Sequence, residues 1–341
     1  MYDPLFLEHE VPGHPESPNR LRAIMSHLDL HGVTGQMVPV QPRDAGHEDL
    51  RLVHTRELIE RVMDAAPAGG HRWLDVDTYV APASYGAALR AAGGLLAAVD
   101  GVLAAELDSA FCFVRPPGHH ATPAAAMGFC LFNNVAIAAA HALERRELDR
   151  VAIVDFDVHH GNGTQDAFYA DPRVLYFSTH QFPFYPGTGD WNETGAGEAA
   201  GNTINVPLPR GCGDDAFTAA YEEICAPALR RFKPQMILVS AGFDAHFADP
   251  LAQELLSTAG YYRIASLLGG LASELCGGRI VYALEGGYDL TAISWSSHAC
   301  VDALLGNELT VDALGAGPQV RGPDVSGLLA RIKGLHDLSA V

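Results

Sequence analysis

Short apolar runs rich in β-branched residues alternate along the chain with longer Ala/Leu-rich stretches of helical spacing, the pattern of parallel strands joined by crossover helices. The strand-like runs are "FCFVR" (111–115), "RVAIVDFDV" (150–158), "VLYFSTH" (174–180), "NTINVPL" (202–208), "QMILVSAGFD" (235–244) and "RIVYALEGGY" (279–288). Two further strand candidates lie near "DPLFLE" and "QMVPV". Helical spacing runs through 83–106, 133–147, 215–232 and 261–275, and the Gly/Pro-rich stretch 315–327 leads into a C-terminal helix. No repeat or linker interrupts the alternation, so residues 1–341 read as a single α/β domain.

Polar chemistry collects at one place in this pattern. In open parallel sheets, ligands gather beyond the carboxyl ends of the strands, where loops sit on a rigid base. "RPPGHH", "DFDVHHGN", "STH", "AGFDAH" and "EGGY" all follow strand-like runs at that edge, which points to a single polar site.

Composition narrows the class of function. The chain holds 22 Lys+Arg against 41 Asp+Glu, a formal charge of −19, which argues against direct nucleic-acid binding and favours cationic ligands. Solubility alone explains the excess equally well. The six cysteines form no C-x-x-C pair and no charged-then-apolar leader opens the chain, so reduced thiols in a cytoplasmic protein are expected. The apolar runs are broken by Gly, Asp or Arg, so no membrane span is expected either.

Within "VAIVDFDVHHGNG" (151–163), Asp155, Asp157 and His159 occupy every second position. On a strand they would share one face while Val158 packs the other way. A buried carboxylate without a partner costs on the order of several kcal/mol, and a bound cation removes that cost. With Asp244 from a neighbouring strand, two carboxylates and an imidazole would give zinc three ligands and leave a fourth position for water, the mark of a catalytic rather than a structural site. The plainer readings are a capped helix start for "DFDVHH" and a simple turn for "GFDAH". The apolar strand ahead of "DFDVHH" weighs against the first.

His119 and His120 follow Pro116, Pro117 and Gly118 in a turn that would hold both rings above the sheet. Adjacent imidazoles divide labour when their partners differ: one takes a proton, the other keeps charge. Asp155 and Asn162 are the candidate partners. Tyr288, after two glycines, could donate its hydroxyl to a developing oxyanion. A tandem His or a "GGY" alone is more often structural, and the specificity lies in the set.

"RPPGHHA", "GFCLFNN", "DFDVHHGNGTQDAF", "YPGTG", "SAGFDAHFADPL" and "ALEGGYD" together resemble the blocks of the histone deacetylase family, particularly the bacterial relatives of its class II branch, in order from about residue 9 to 300. The resemblance implies an arginase/deacetylase-like three-layer α/β sandwich with a central, mostly parallel eight-stranded sheet. It also implies a zinc-dependent deacetylase, an amidohydrolase that cleaves the acetyl amide of an acylated amine such as acetyl-lysine. By the same resemblance Asp157, His159 and Asp244 match the zinc ligands, His120 the general base and acid, His119 its electrostatic partner, and Tyr288 the residue that polarises the acyl carbonyl. Asp155 and Ser178 match side-chain ligands of an inner potassium (K+) site that also uses backbone at Asp157, His159 and Thr179. An outer monovalent site would use backbone around Phe168, Asp171 and Val174. Gly128, Phe129 and Tyr185 match the acyl tunnel, and Arg20 an arginine lining an internal cavity.

Three positions depart from, or subdivide, the pattern. Asn162 stands where class I members carry Asp, which should weaken the electrostatic partner of His120. Tyr288 is retained where weakly active class IIa enzymes carry His. Leu251 stands where polyamine-selective relatives carry a glutamate, which counts against acetylpolyamines without excluding them or other small acyl-amines. The binuclear manganese ureohydrolases share the implied fold but need bridging carboxylates that the paired His and "EGGY" do not supply. A catalytically silent sensor of acyl ligands is the non-enzyme alternative. "GNG" lacks the third glycine of a dinucleotide fingerprint, position 166 being Asp, and no G-x-S-x-G elbow is present. Homo-oligomerisation stays open.

Overall fold

The structure is a computed structural model, and it describes residues 1–318, 320 and 322–338. Gln319 and Arg321, within the Gly/Pro-rich stretch, and residues 339–341 lie outside the described residues.

Six parallel strands form the central sheet: β3 (Ala110–Cys112), β4 (Val151–Asp155), β5 (Val174–Gln181), β6 (Thr203–Leu208), β7 (Met236–Ala241) and β8 (Ile280–Leu284), in the order β3-β8-β7-β4-β5-β6. Every residue of these strands is buried. A sheet covered on both faces needs no polar alternation, which is why its strands read as continuous apolar runs. A separate two-stranded ribbon pairs β1 (Arg72–Trp73) with β2 (Tyr79–Val80).

Among the described residues the sheet has six strands where eight were expected. "DPLFLE" is a 3₁₀ turn over Pro4–Glu8, and "QMVPV" carries no strand. Proline at the first turn presets helical φ, and Asp3 Oδ1 accepts from the Leu5 amide at 2.8 Å, so the chain leaves the sheet after Met1. Met1 itself makes strand-like bonds, donating to the Phe111 carbonyl at 2.6 Å and accepting from Phe113 N at 2.9 Å.

Helices cover the sheet: α1 (Pro18–Leu30), the short α2 (His47–Leu50), α3 (Arg56–Ala65), α4 (Ser84–Leu103), α5 (Asn134–Arg145), α6 (Asn162–Phe168), α7 (Asp214–Ala220), α8 (Ala226–Phe232), α9 (Thr258–Cys276), α10 (Leu290–Leu305) and α11 (Ser326–Leu335). A π-helical turn at Tyr221–Cys225 joins α7 to α8, so the segment predicted helical over 215–232 is one continuous run. By length and composition alone α4 is apolar enough to cross a membrane, despite the Gly, Arg and Asp that break its run, but the same is true of a buried core helix. Here it is a core helix, packed on α5, β3 and β8.

Strand order fixes the layers. From β4 the chain passes through α6 to β5 on one side, whereas β7 passes through α9 to β8 in the opposite direction. Right-handed crossovers in opposite directions put their helices on opposite faces. β4 therefore sits where the direction reverses, and the crevice beyond its carboxyl end is the topological switch point.

Candidate active site

β4 ends at Asp155, so Asp157 and His159 lie past the strand rather than on it. The departure has a local cause. Asp155 Oδ1 accepts from Asp157 N at 3.1 Å, and Asp157 Oδ1 accepts from His159 N at 2.9 Å. Two successive side-chain-to-backbone bonds offer the chain an alternative to the sheet ladder and curl it over the switch point. Asp244 sits three residues past β7, and its Oδ1 accepts from Val158 N at 2.9 Å, which ties the two loops together.

These turns bring three donors to one point. His159 Nδ1 lies 3.1 Å from Asp157 Oδ1 and 3.1 Å from Asp244 Oδ2, and one ligand atom from each residue lies within 4.8 Å of the others. Both carboxylates are buried and His159 is nearly so. Burial pushes the His159 ring down, but its bonds to Asp157 and Asp244 outweigh this and raise it to about 10. Two carboxylate oxygens and an imidazole nitrogen suit a divalent zinc-like cation.

Glycine is required beside them. A Cβ at Gly286 would lie 2.2 Å from Asp244 Oδ2 and 2.6 Å from Asp157 Oδ2, and the Gly286 amide donates to Asp157 Oδ2 at 2.7 Å. Backbone thus approaches as closely as a side chain otherwise would.

The paired histidines have unlike partners. His119 Nδ1 is 3.1 Å from Asp155 Oδ2, whereas His120 Nδ1 is 2.8 Å from Asn162 Oδ1. Burial lowers both rings. For His119 the charges of Asp157 and Asp155 more than reverse that effect and raise it to about 10. For His120 the positive neighbours His119 and His159 deepen it, so the ring sits well below its ordinary value. Asn162, a neutral amide, offers no countercharge.

Of the residues expected around a tunnel, Gly128 and Tyr185 sit against His120 and Phe129 sits against Tyr288. Gly128, at φ +55°, lets the chain pass close to the His120 ring, where a Cβ would meet Cδ2 at 2.4 Å. Tyr185 presents its ring edge-on to His120 with centroids 5.1 Å apart, and Phe129 is edge-on to Tyr288 at 6.0 Å. Leu251 is half-buried in the loop held by Asp249, whose Oδ1 accepts from its amide at 2.9 Å. Burial, then the Asp244 charge, keeps the Tyr288 phenol protonated far into the alkaline range.

Arg20 is fully buried and engaged. It donates from Nε to the Gly287 carbonyl at 2.6 Å and from Nη2 to the Glu285 carbonyl, and its guanidinium lies 5.2 Å from the Tyr288 ring centroid. It holds the Tyr288 loop from below. Ser178 faces Asp155 across the β4–β5 register, with its hydroxyl 2.9 Å from His180 Nδ1, and the Thr179 hydroxyl meets Tyr221 at 3.4 Å. The Phe168 and Asp171 carbonyls each accept one backbone bond, from Asp171 and Val174.

Three residues that sequence reasoning did not single out hold the site together. Glu285 accepts from the Gly118 and His119 amides at 2.7 and 3.2 Å and from the Ser240 hydroxyl at 3.1 Å, fixing the paired-histidine turn. Asp249 Oδ2 accepts from the Tyr288 and Asp289 amides at 2.6 and 3.2 Å. Tyr176 donates to Asp155 Oδ2 at 3.2 Å, beside His119. Glu285 lay inside the quoted "EGGY" and Asp249 inside "ADPL", so a buried acid in each motif was the available signal.

A parallel α/β sheet with this donor set at its switch point falls in the arginase/deacetylase-like class. A solved structure described as the HDA15 HD domain superposes with a TM-score of 0.89 at 38% identity, covering 98% of this chain and 92% of that one. Residues 14–304 match the histone deacetylase domain. The chain is 44% identical over 318 residues to histone deacetylase 14, chloroplastic, of Arabidopsis thaliana, covering 89% of this chain and 75% of the relative. It is 41% identical to a histone deacetylase-like amidohydrolase of Pseudomonas aeruginosa, with 86% and 77% covered, and 41% identical to a probable deacetylase of Archaeoglobus fulgidus, with 89% and 85% covered. The chain belongs to the histone deacetylase family, and so to the hydrolases that act on amide bonds.

Proposed function

We propose that the protein is a zinc-dependent deacetylase that hydrolyses the acetyl amide of an acylated amine such as acetyl-lysine. The observation that carries this reading is the pair of imidazoles with unlike partners beside a buried Asp–His–Asp trio. Asp157, His159 and Asp244 would hold the zinc, which when bound supplies a Lewis acid for the acyl carbonyl and makes water more acidic.

The chain's own groups do the rest. Asn162 Oδ1 accepts from His120 Nδ1–H, leaving the Nε2 lone pair free, so His120 takes the proton of the attacking water as general base. His119, held positive by Asp155 and Asp157, stabilises the negative charge that develops on the substrate. The Tyr288 hydroxyl donates to the same oxyanion. His120 then returns its proton to the leaving nitrogen as the C–N bond breaks, which releases acetate and a free amine. Phe129, Tyr185 and Gly128 bound an approach suited to a narrow alkyl chain, and Asp155, Ser178 and the neighbouring carbonyls suit a structural K+.

The substrate class is read at the rim. Burial raises the Tyr185 phenol, and Asp77, Cys130 and Asp75 push it the same way; the two carboxylates near this ring would suit a cationic or amine-bearing substrate. Leu251 stands where polyamine-selective relatives carry a glutamate, which counts against acetylpolyamines without excluding them. The test is a panel of acetyl-lysine peptides, acetylpolyamines and longer acyl-lysines on zinc-reconstituted protein, with Asp157→Ala as control. Acetyl-lysine turnover absent from the control is expected. Zinc binding with no turnover of any acyl-amine would make the chain an acyl-ligand sensor instead.

A further inference from the structure

A second group of metal-ligating side chains lies outside the active site, where α1 packs along α10. His27 is in the last turn of α1 and His31 caps that helix four residues on, so their rings share a face with centroids 4.1 Å apart. From α10, His298 places Nδ1 at 3.1 Å from His27 Nε2. One ligand nitrogen from each ring lies within 4.8 Å of the other two.

Neighbouring acceptors settle which nitrogens are free. His31 Nδ1 is 2.8 Å from the His27 carbonyl, which can only accept, so the proton sits on Nδ1 and Nε2 keeps its lone pair. His298 Nε2 lies 3.4 Å from Asp302 Oδ2, a contact that favours the proton on Nε2, while Nδ1 faces His27 Nε2 at 3.1 Å. Asp302 is itself fixed by the Thr310 hydroxyl at 3.0 Å and the Asn307 amide at 3.2 Å. A carboxylate behind a ligating imidazole is the arrangement that orients histidine towards a metal. Burial grades from His298, buried, through His27 to His31, exposed, which gives an ion a path from solvent.

We propose that His27, His31 and His298 form a second metal site that takes a divalent transition cation such as Zn2+, Cu2+ or Ni2+ through three imidazoles, with its remaining position open to solvent. Nitrogen donors with no oxygen in direct contact select these ions over Mg2+ or Ca2+. The 3.1 Å between His27 Nε2 and His298 Nδ1 is close to the roughly 3.3 Å that separates two ligands on a tetrahedral ion with bonds of about 2.0–2.1 Å. In the metal-free protein a proton on His27 Nε2 bridges to His298. The cation takes that place, and the proton moves to His27 Nδ1. The ion staples α1, which carries Arg20, to α10, which begins just after Tyr288; it stabilises the fold by linkage and takes no part in the hydrolysis.

Trp295 supplies a built-in reporter, its ring parallel to His298 within 13° at 6.0 Å and edge-on to His27 at 4.4 Å. The full-length protein is titrated with Cu2+ while tryptophan emission is followed, and its zinc content is measured after dialysis against excess Zn2+. Wild type should show quenching that Trp295→Phe removes. The double variant His27→Ala/His31→Ala should lose that quenching and about one zinc per chain while keeping its acetyl-lysine turnover. Asp302→Asn should weaken Cu2+ binding by about 10-fold or more. If the double variant folds poorly, His31→Ala alone, at an exposed position, carries the same test. Equal zinc content and equal quenching in wild type and variant would overturn the proposal.

Discussion

Two buried charge clusters lie back to back beneath Tyr288, and they are balanced in opposite ways. In one, Glu16 sits between two fully buried guanidiniums, with Arg20 Nη1 at 3.0 Å from Oε1 and Arg115 Nη2 at 2.7 Å from Oε2. Arg115 spends its remaining donors on the Phe6 and His9 carbonyls at 2.7 and 2.8 Å. Anion and cations come from the same chain, and one carboxylate answers two guanidiniums, so this cluster carries a surplus of positive charge. In the other, Asp155, Asp157, Asp244 and Glu285 are all buried, and among the described residues no Lys or Arg pairs with their carboxylates, only His119 and His159. That cluster is short of positive charge, which fits the divalent cation proposed for it. Arg20 joins the two, since its guanidinium pairs with Glu16 and holds the carbonyls on either side of Gly286.

The largest effect should come from deepening the deficient side's dependence on its ligands. Asp157→Ala removes a donor from a site expected to contribute several kcal/mol, so acetyl-lysine turnover should fall by about 1000-fold or more, with loss of the bound metal measurable by elemental analysis. Turnover within a fewfold of wild type would place the cation elsewhere.

Removing the anion from the positive side tests the contrast from the other direction. Glu16→Gln leaves two buried guanidiniums without an anion and should cost about 3–5 kcal/mol in denaturant-induced unfolding. Burial raises the Glu16 carboxyl, but Arg115 and then Arg20 outweigh it and bring it down to about 2, below its ordinary 4.5. A depressed carboxyl contributes stability that is fully present above the unfolded value and is lost as pH falls from about 4.5 through about 2. Wild type should therefore lose stability across that window, and Glu16→Gln should lose less of it over the same range. Parallel curves for the two proteins would remove Glu16 from the account.

Tyr288→Phe leaves both clusters intact and deletes only the hydroxyl. Turnover should drop about 100-fold or more, with little change in metal content. The finest adjustment is Asn162→Asp, which gives His120 the anionic partner that His119 already has. A nearby opposite charge raises an imidazole by about 1–3 units, so the acid limb of the kcat/KM profile should move to higher pH, because the base must be neutral to act. An unmoved limb would mean that another group is the base.

Much of this was legible in the chain. The six sheet strands announce themselves because both faces are covered, and Asp157, His159, Asp244 and the paired histidines stand out as polar groups immediately after them. What failed was local and non-local in turn. Alternation could not show that backbone bonds to the Asp155 and Asp157 side chains end β4 and lift Asp157 and His159 onto a curled loop. Pro4 and Asp3 turn a strand-like "DPLFLE" into a 3₁₀ turn, which removes one expected strand. Glu285 and Asp249 act by receiving amides from distant loops, and His27 meets His298 from 271 positions away. No spacing in the sequence encodes contacts of that range.

The central claim is that Asp157, His159 and Asp244 together grip one divalent cation. Anomalous X-ray diffraction at the zinc edge, from crystals of protein given a single equivalent of zinc, tests it directly. The account predicts a peak in contact with both carboxylates and the His159 ring. A peak that avoids those three residues, or density showing them turned away from one another around an empty centre, would contradict it.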